Sequence, residues 1–151
     1  MKKNISFTQL NKIHTNINNN NILHTTFENI SILSKGGFGI VYKCKHILDM
    51  NWYAIKKISF LINKNNPGDL ICKNINNKLK EVRYHSNMFH KNIIRYHTSW
   101  IEKQNEIDEE IDEEIDKCVD VDEGVEENKI ELTNYIQMNL YVKLELMNIN
   151  L

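Results

Sequence analysis

The sequence predicts an α+β fold: an antiparallel sheet of five strands with one main helix. Three observations carry this reading. Strand-like alternation flanks a glycine hairpin, one stretch places apolar residues at helical spacing, and two later strands bracket a long acidic segment.

Taken in order, residues 1–26 read as a mostly disordered leader. Asparagine occurs 23 times in the chain, and the run from Asn16 to Asn21 holds five of them. Such polar runs bury too little apolar surface to offset the entropy of ordering. Phe27 to Leu33 alternates as a first strand, and Ile40 to Lys45 forms a second. His46 to Asn51 makes a turn before a third strand, Trp52 to Ile58. Asn63 to Gly68 contains the only proline and reads as a loop. From Asp69, a plausible N-cap, Ile71, Ile75, Leu79 and Val82 recur at spacings of four, four and three, which predicts an amphipathic helix. Ile93 to Ile101 reads as the fourth strand and Tyr135 to Met138 as the fifth.

Between them, residues 103–134 form an acidic insert. Residues 106–131 hold 14 acidic residues against Lys117 and Lys129, a net charge of −12. The rest of the chain carries 17 basic and 6 acidic residues. Ile107, Ile111 and Ile115 would line one helical stripe, but the carboxylates between them repel one another, which favours a solvated segment. A docking surface for a basic partner, or an autoregulatory segment, is the sharper alternative. The bases elsewhere are interspersed without clustered aromatics, so no nucleic-acid partner is expected.

The 151 residues can hold one domain with a real core. No apolar stretch has the length of a signal core or membrane span, so a soluble chain is expected. Cys44, Cys72 and Cys118 match neither a zinc pattern nor a disulfide framework and read as reduced thiols in a cytoplasmic setting. The six histidines are scattered, and no metal site is expected.

The chemistry concentrates in Leu33-Ser34-Lys35-Gly36-Gly37-Phe38-Gly39-Ile40-Val41. Three of the five glycines lie within four positions here. Glycine lets the main chain pass close over a ligand and present N–H groups to phosphate oxygens. An ordinary hairpin beside a lysine with a buried stem is the alternative. Lys56 follows Val41 by fifteen residues in Tyr53-Ala54-Ile55-Lys56, and Glu81 follows Lys56 by twenty-five. Nine residues on begins His90-Lys91-Asn92-Ile93-Ile94-Arg95-Tyr96.

In this order these motifs resemble the small lobe of a eukaryotic protein kinase. Over about residues 27–141 the chain is most similar to the kinases of the translation initiation factor 2 alpha subunit. The narrower likeness rests on Gly36-Gly37-Phe38-Gly39, Tyr53-Ala54-Ile55-Lys56-Lys57-Ile58, Glu81-Val82-Arg83, Ile94-Arg95-Tyr96, Trp100-Ile101-Glu102, Tyr135-Ile136-Gln137-Met138 and the charged insert. The resemblance implies an ATP site. The loop Ser34-Lys35-Gly36-Gly37-Phe38-Gly39 would cover the phosphates, and Leu33, Val41 and Ala54 would wall the adenine. Lys56 would meet the phosphates and be held by Glu81. Met138 would be the gatekeeper, and Asn139 and Tyr141 would offer backbone groups to the adenine edge, with residues 142–151 starting a link.

Two departures stand out. Ser34 replaces the first loop glycine, and His85 replaces an apolar residue of the regulatory stack. The chain contains neither the His-Arg-Asp nor the Asp-Phe-Gly motif of the large lobe. The expectation is therefore a fragment without catalytic residues, inactive alone, that uses Mg2+ only with a large lobe present. A non-catalytic interaction module acting through the acidic insert is the alternative, and a relic that does not fold is a third.

Overall fold

A computed structural model describes residues 21–37, 39–66, 70–71, 75–104 and 134–147. Their elements are α1 (Ile22–Thr26), β1 (Phe27–Gly36), β2 (Gly39–His46), β3 (Trp52–Asn63), β4 (Leu70–Ile71), α2 (Ile75–Ser86), β5 (Tyr96–Lys103) and β6 (Tyr135–Glu145). Five strands form the antiparallel path β1-β2-β3-β6-β5, and the two-residue β4 pairs with β3 beyond the end of β2.

The centre of the sheet is the β3–β6 pair, registered without interruption from Tyr53 opposite Glu145 to Asn63 opposite Tyr135. Side chains alternate across a strand, so this ladder feeds two cores. One face gathers Phe60, Ile62, Met138, Leu140 and Val142 beneath Ile75, Leu79 and Val82 of α2. The opposite face gathers Cys44, Tyr53, Ile55 and Tyr141 with Leu23 of α1 and Phe27. Ile55 and Met138 are fully buried, each worth about 1.5–3 kcal/mol of apolar burial.

Several expected boundaries move. The last residues of the stretch expected to be a mostly disordered leader, Ile22–Thr26, form an ordered helical turn. Asn21 caps α1 by accepting from the His24 N–H, and Leu23 is buried. The third strand does not stop at Ile58, because Phe60-Leu61-Ile62 supplies apolar side chains to both faces. The main helix begins at Ile75, not after Asp69, and Ile71 pairs with Leu61 as strand. The fourth strand starts at Tyr96, after a turn in which the Ile93 N–H donates to the His90 carbonyl. The fifth strand runs on to Glu145, seven positions past its expected end. Residues 1–20, Phe38, Asp69, Cys72 and residues 105–133, with Cys118, lie outside the described residues. Among the described residues no helix is long and apolar enough to cross a membrane.

Gly39 is the glycine that the backbone demands. Its φ of +109° is the left-handed region, and a Cβ there would sit 2.2 Å from the Lys57 carbonyl oxygen. Gly36 and Gly37 have open space at the corresponding point. Gly39→Ala should therefore lose about 1–3 kcal/mol of stability, and Gly36→Ala far less. Urea unfolding of the two variants beside the parent chain measures the difference.

Candidate functional site

The strand register assembles part of the expected site. Val41 of β2 stands opposite Lys56 of β3, which in turn stands opposite Val142 of β6. Ala54, two positions before Lys56, lies between Lys43 and Leu144 on the same face. The hairpin closes where Gly36 pairs with Gly39, two residues beyond Val41. Lys56 is half-buried on the face that α2 covers, close to the hairpin root. Val41, Ala54 and Lys56 thus share one surface.

Leu33 occupies an irregularity in β1. Ile32 pairs with Tyr42 and Ser34 with Val41, so Leu33 is the extra residue of a bulge and is 50% exposed. Ser34 and Lys35 continue the ladder to Gly36, and Gly37 forms the exposed turn.

Other expected members lie elsewhere. Glu81 is exposed on α2, and its carboxylate accepts from Lys78 Nζ at 3.1 Å. The structure therefore joins Glu81 to Lys78 rather than to Lys56. Met138 shares the face of Lys56 but stands opposite Phe60, six positions further along β3 than Ala54. At the rise of a strand, that is about 20 Å away. Asn139 and Tyr141 are not in a link. They lie inside β6 with β3 on one side and β5 on the other, and their side chains are buried on the opposite face. Residues 142–145 likewise remain in the strand. His85 sits beside Tyr96, with ring centroids 6.0 Å apart, and its Nε2 contacts the Ile94 carbonyl. Among the described residues no group of three His, Cys, Asp or Glu could hold a metal ion.

Sequence reasoning missed two clusters on the face opposite α2. In the first, Gln137 and Asn139 are buried amides that must find partners. Gln137 Nε2 donates to Asn139 Oδ1 at 3.0 Å, Asn139 Nδ2 donates to Gln104 Oε1 at 2.8 Å, and Ser59 Oγ donates to Asn139 Oδ1 at 2.7 Å. The signal was available: polar residues alternate with apolar ones in Gln137-Met138-Asn139-Leu140.

The second cluster is aromatic. Phe27 stacks on Trp100, Trp100 stacks on Tyr141, and Lys143 Nζ lies 3.9 Å from the Tyr53 ring centroid. The Tyr53 hydroxyl donates to Asp49 Oδ2 at 2.6 Å, and the Asn51 N–H donates to Asp49 Oδ1 at 2.8 Å. The Tyr53 bond, followed by that from Asn51, holds the Asp49 carboxyl below its ordinary range. Burial pushes the Cys44 thiol up to about 11, against the opposing pull of Lys143, so this cysteine is no nucleophile at neutral pH. Burial, with Lys143 and Arg95 acting in the same direction, lowers His97.

A five-stranded antiparallel sheet with one main helix, and a glycine-closed hairpin beside a strand lysine, is the architecture of a protein-kinase small lobe. The chain belongs to the protein kinase domain family, whose model matches residues 27–139. It is 46% identical over 76 residues to eukaryotic translation initiation factor 2-alpha kinase 1 of Mus musculus, covering 50% of this chain and 11% of that protein. A probable serine/threonine-protein kinase of Dictyostelium discoideum is 40% identical over 78 residues, 52% of this chain and 11% of that one. The eIF-2-alpha kinase GCN2 of Schizosaccharomyces pombe is 35% identical over 80 residues, 53% of this chain and 5% of that protein. The chain thus matches about a tenth or less of the length of these relatives.

Because the Asp49 carboxyl is lowered, its contribution to stability is present above the ordinary carboxylate range and is lost as pH falls through that range toward the folded value. Tyr53→Phe removes the principal cause. In that variant the Asp49 carboxyl should titrate closer to its ordinary range, as followed by carboxyl carbon chemical shifts against pH.

Proposed function

We propose that this chain is the ATP-binding lobe of a serine/threonine protein kinase that acts on the translation initiation factor 2 alpha subunit under stress, in the cytoplasm. The observation that carries the reading is the placement of Lys56 opposite Val41, next to a hairpin whose Gly39 cannot accept a side chain. Gly36, Gly37 and Gly39 would bring backbone N–H groups to phosphate oxygens, with Ser34, Lys35 and Phe38 completing the loop. Lys56 would neutralise phosphate charge. Val41, Ala54 and Leu33 would take the adenine, whereas Met138, opposite Phe60 and about 20 Å along the sheet from Ala54, stands too far to border it in this conformation. The names of the relatives support the substrate class.

In this reading Glu81 must turn from Lys78 to Lys56, and Asn139 and Tyr141 reach the adenine edge only if β6 opens beyond Met138. Both are changes between conformations of one lobe. Phosphoryl transfer is mostly positioning and charge neutralisation, and the residues for base and Mg2+ roles belong to the His-Arg-Asp and Asp-Phe-Gly motifs that these 151 residues lack. The chain alone is therefore proposed to bind nucleotide without transferring phosphate. The net charge of −12 over residues 106–131 favours a second reading, a non-catalytic kinase-like module that engages a basic partner through the acidic insert.

The test uses this lobe joined to its own large lobe. Lys56→Met should lower phosphorylation of the purified alpha subunit by about a hundredfold or more. It should also weaken ATP binding in calorimetry. Equal ATP affinities would refute the role of Lys56, and unchanged binding of basic partners after deletion of residues 103–134 would refute the second reading.

A further inference from the structure

The turn between β2 and β3, His46 to Asn51, stands at the end of β2 remote from the glycine hairpin. It exposes Ile47, Leu48 and Met50, and the exposed Trp52 follows at its base. Leu48 is 86% exposed. A single exposed apolar residue needs no explanation, but four within the six positions 47–52 do.

The turn keeps its donors to itself. The His46 N–H donates to the Asn51 carbonyl, Ile47 to the Thr26 carbonyl and Met50 to the His46 carbonyl. The N–H groups of Leu48 and Asp49 share His46 Nδ1, and that of Asn51 donates to Asp49 Oδ1. Asp49, the one carboxylate of the turn, also accepts from the Tyr53 hydroxyl, so both of its oxygens have donors within the protein. Met50 has a φ of +59°, the left-handed region where Gly or Asn is the relaxed choice. An apolar side chain is held there against backbone strain. A backbone donor taken out of water is costly unless it is already paired, and these are paired. The tip offers no N–H group to a protein partner, and a bilayer asks for none.

The charges beside the turn decide which bilayer it fits. Lys45 is registered opposite Trp52 and Lys43 opposite Ala54, so both lysines share the face of Trp52. Lys43 Nζ lies 4.9 Å from the Trp52 ring centroid. Among the described residues no carboxylate pairs with either lysine, and Glu28 stands opposite Lys45 without an ion pair. Cations beside an indole at the base of an apolar tip suit anionic head groups. The acidic insert departs far from this turn. Lys103, at its start, is aligned through Met138 with Phe60, eight positions along β3 from Trp52. That is about 25 Å, roughly three screening lengths at physiological salt.

We propose that the β2–β3 turn docks on an anionic lipid bilayer. Ile47, Leu48 and Met50 enter the interface, Trp52 sits at head-group depth, and Lys43 and Lys45 meet the anionic head groups. The surface lies apart from the glycine hairpin and needs no bound nucleotide.

The test sediments the full chain with vesicles of phosphatidylcholine alone and of equimolar phosphatidylcholine and phosphatidylserine. Tryptophan emission is the second readout. The chain should bind the mixed vesicles with a blue shift and bind phosphatidylcholine alone about tenfold more weakly. Leu48→Asp should weaken binding to the mixed vesicles by at least about tenfold. Replacing Lys43 and Lys45 together by Gln should remove most of the preference for phosphatidylserine. Phe89→Asp changes an apolar residue that is 82% exposed elsewhere on the lobe and should leave binding unchanged. A turn built for a protein partner would bind neither vesicle, and that result overturns the proposal. Equal binding to both vesicles, unchanged affinity in Leu48→Asp, or an equal loss in Phe89→Asp overturns it as well. Should Leu48→Asp not fold, Met50→Gly serves, because it relieves the left-handed backbone while removing an apolar side chain. Weaker vesicle binding there supports the docking surface, and unchanged affinity overturns it.

Discussion

Everything in this lobe hangs on the register between β3 and β6. The two strands face each other at eleven consecutive positions without a bulge. Alternation along that ladder sends Lys56, Ile58 and Phe60 toward α2, and Ile55, Lys57 and Ser59 toward α1. A slip of one residue would exchange Lys56 with Lys57 and bring the buried amides of Gln137 and Asn139 beneath the helix. Such a slip is prohibitive because both faces are buried. It would strand Met138 and Ile55, each fully enclosed, among the wrong neighbours.

The features legible in the sequence were those with a period or a turn. The glycine hairpin, the alternation from Phe27 onward and the Ile75, Leu79, Val82 stripe all reappear in the structure. The ends of strands were less legible. Phe60-Leu61-Ile62 has no period, because the strand there is buried on both faces, and an unbroken apolar run looks alike in several structures. Ile71 misled for a related reason. Its spacing of four from Ile75 suits a helix, yet two residues of β4 suffice to pair it with Leu61. Glu102 gave no local sign of its role. A glutamate at the end of a strand reads as solvated until α1, 79 residues earlier in the chain, covers it and donates the Leu23 N–H.

The site shows the same division. Motif spacing locates Lys56 along the chain, and the register then places it opposite Val41. Spacing does not say how α2 is rotated. Glu81 finds Lys78 one helical turn away, an exposed pair worth at most a few tenths of a kcal/mol. An interaction so weak would be no obstacle to exchange if α2 turned and brought a stronger partner within reach.

The β6 strand is a different matter. For Asn139 and Tyr141 to offer backbone groups to a ligand, the ladder must part from both β3 and β5 beyond Met138. Asn139 would leave Ser59 and Gln104, and Tyr141 would leave its stack on Trp100. Each buried hydrogen-bonding group left without a partner costs about 1–3 kcal/mol, so the peptide groups must find new partners as they open. In the proposed complex a nucleotide edge would replace one or two of them, and water would take the rest. The buried amides and the aromatic stack behind the sheet therefore set how readily the front of β6 opens. Side chains that never face Lys56 thus govern the shape of the surface on which Lys56 stands.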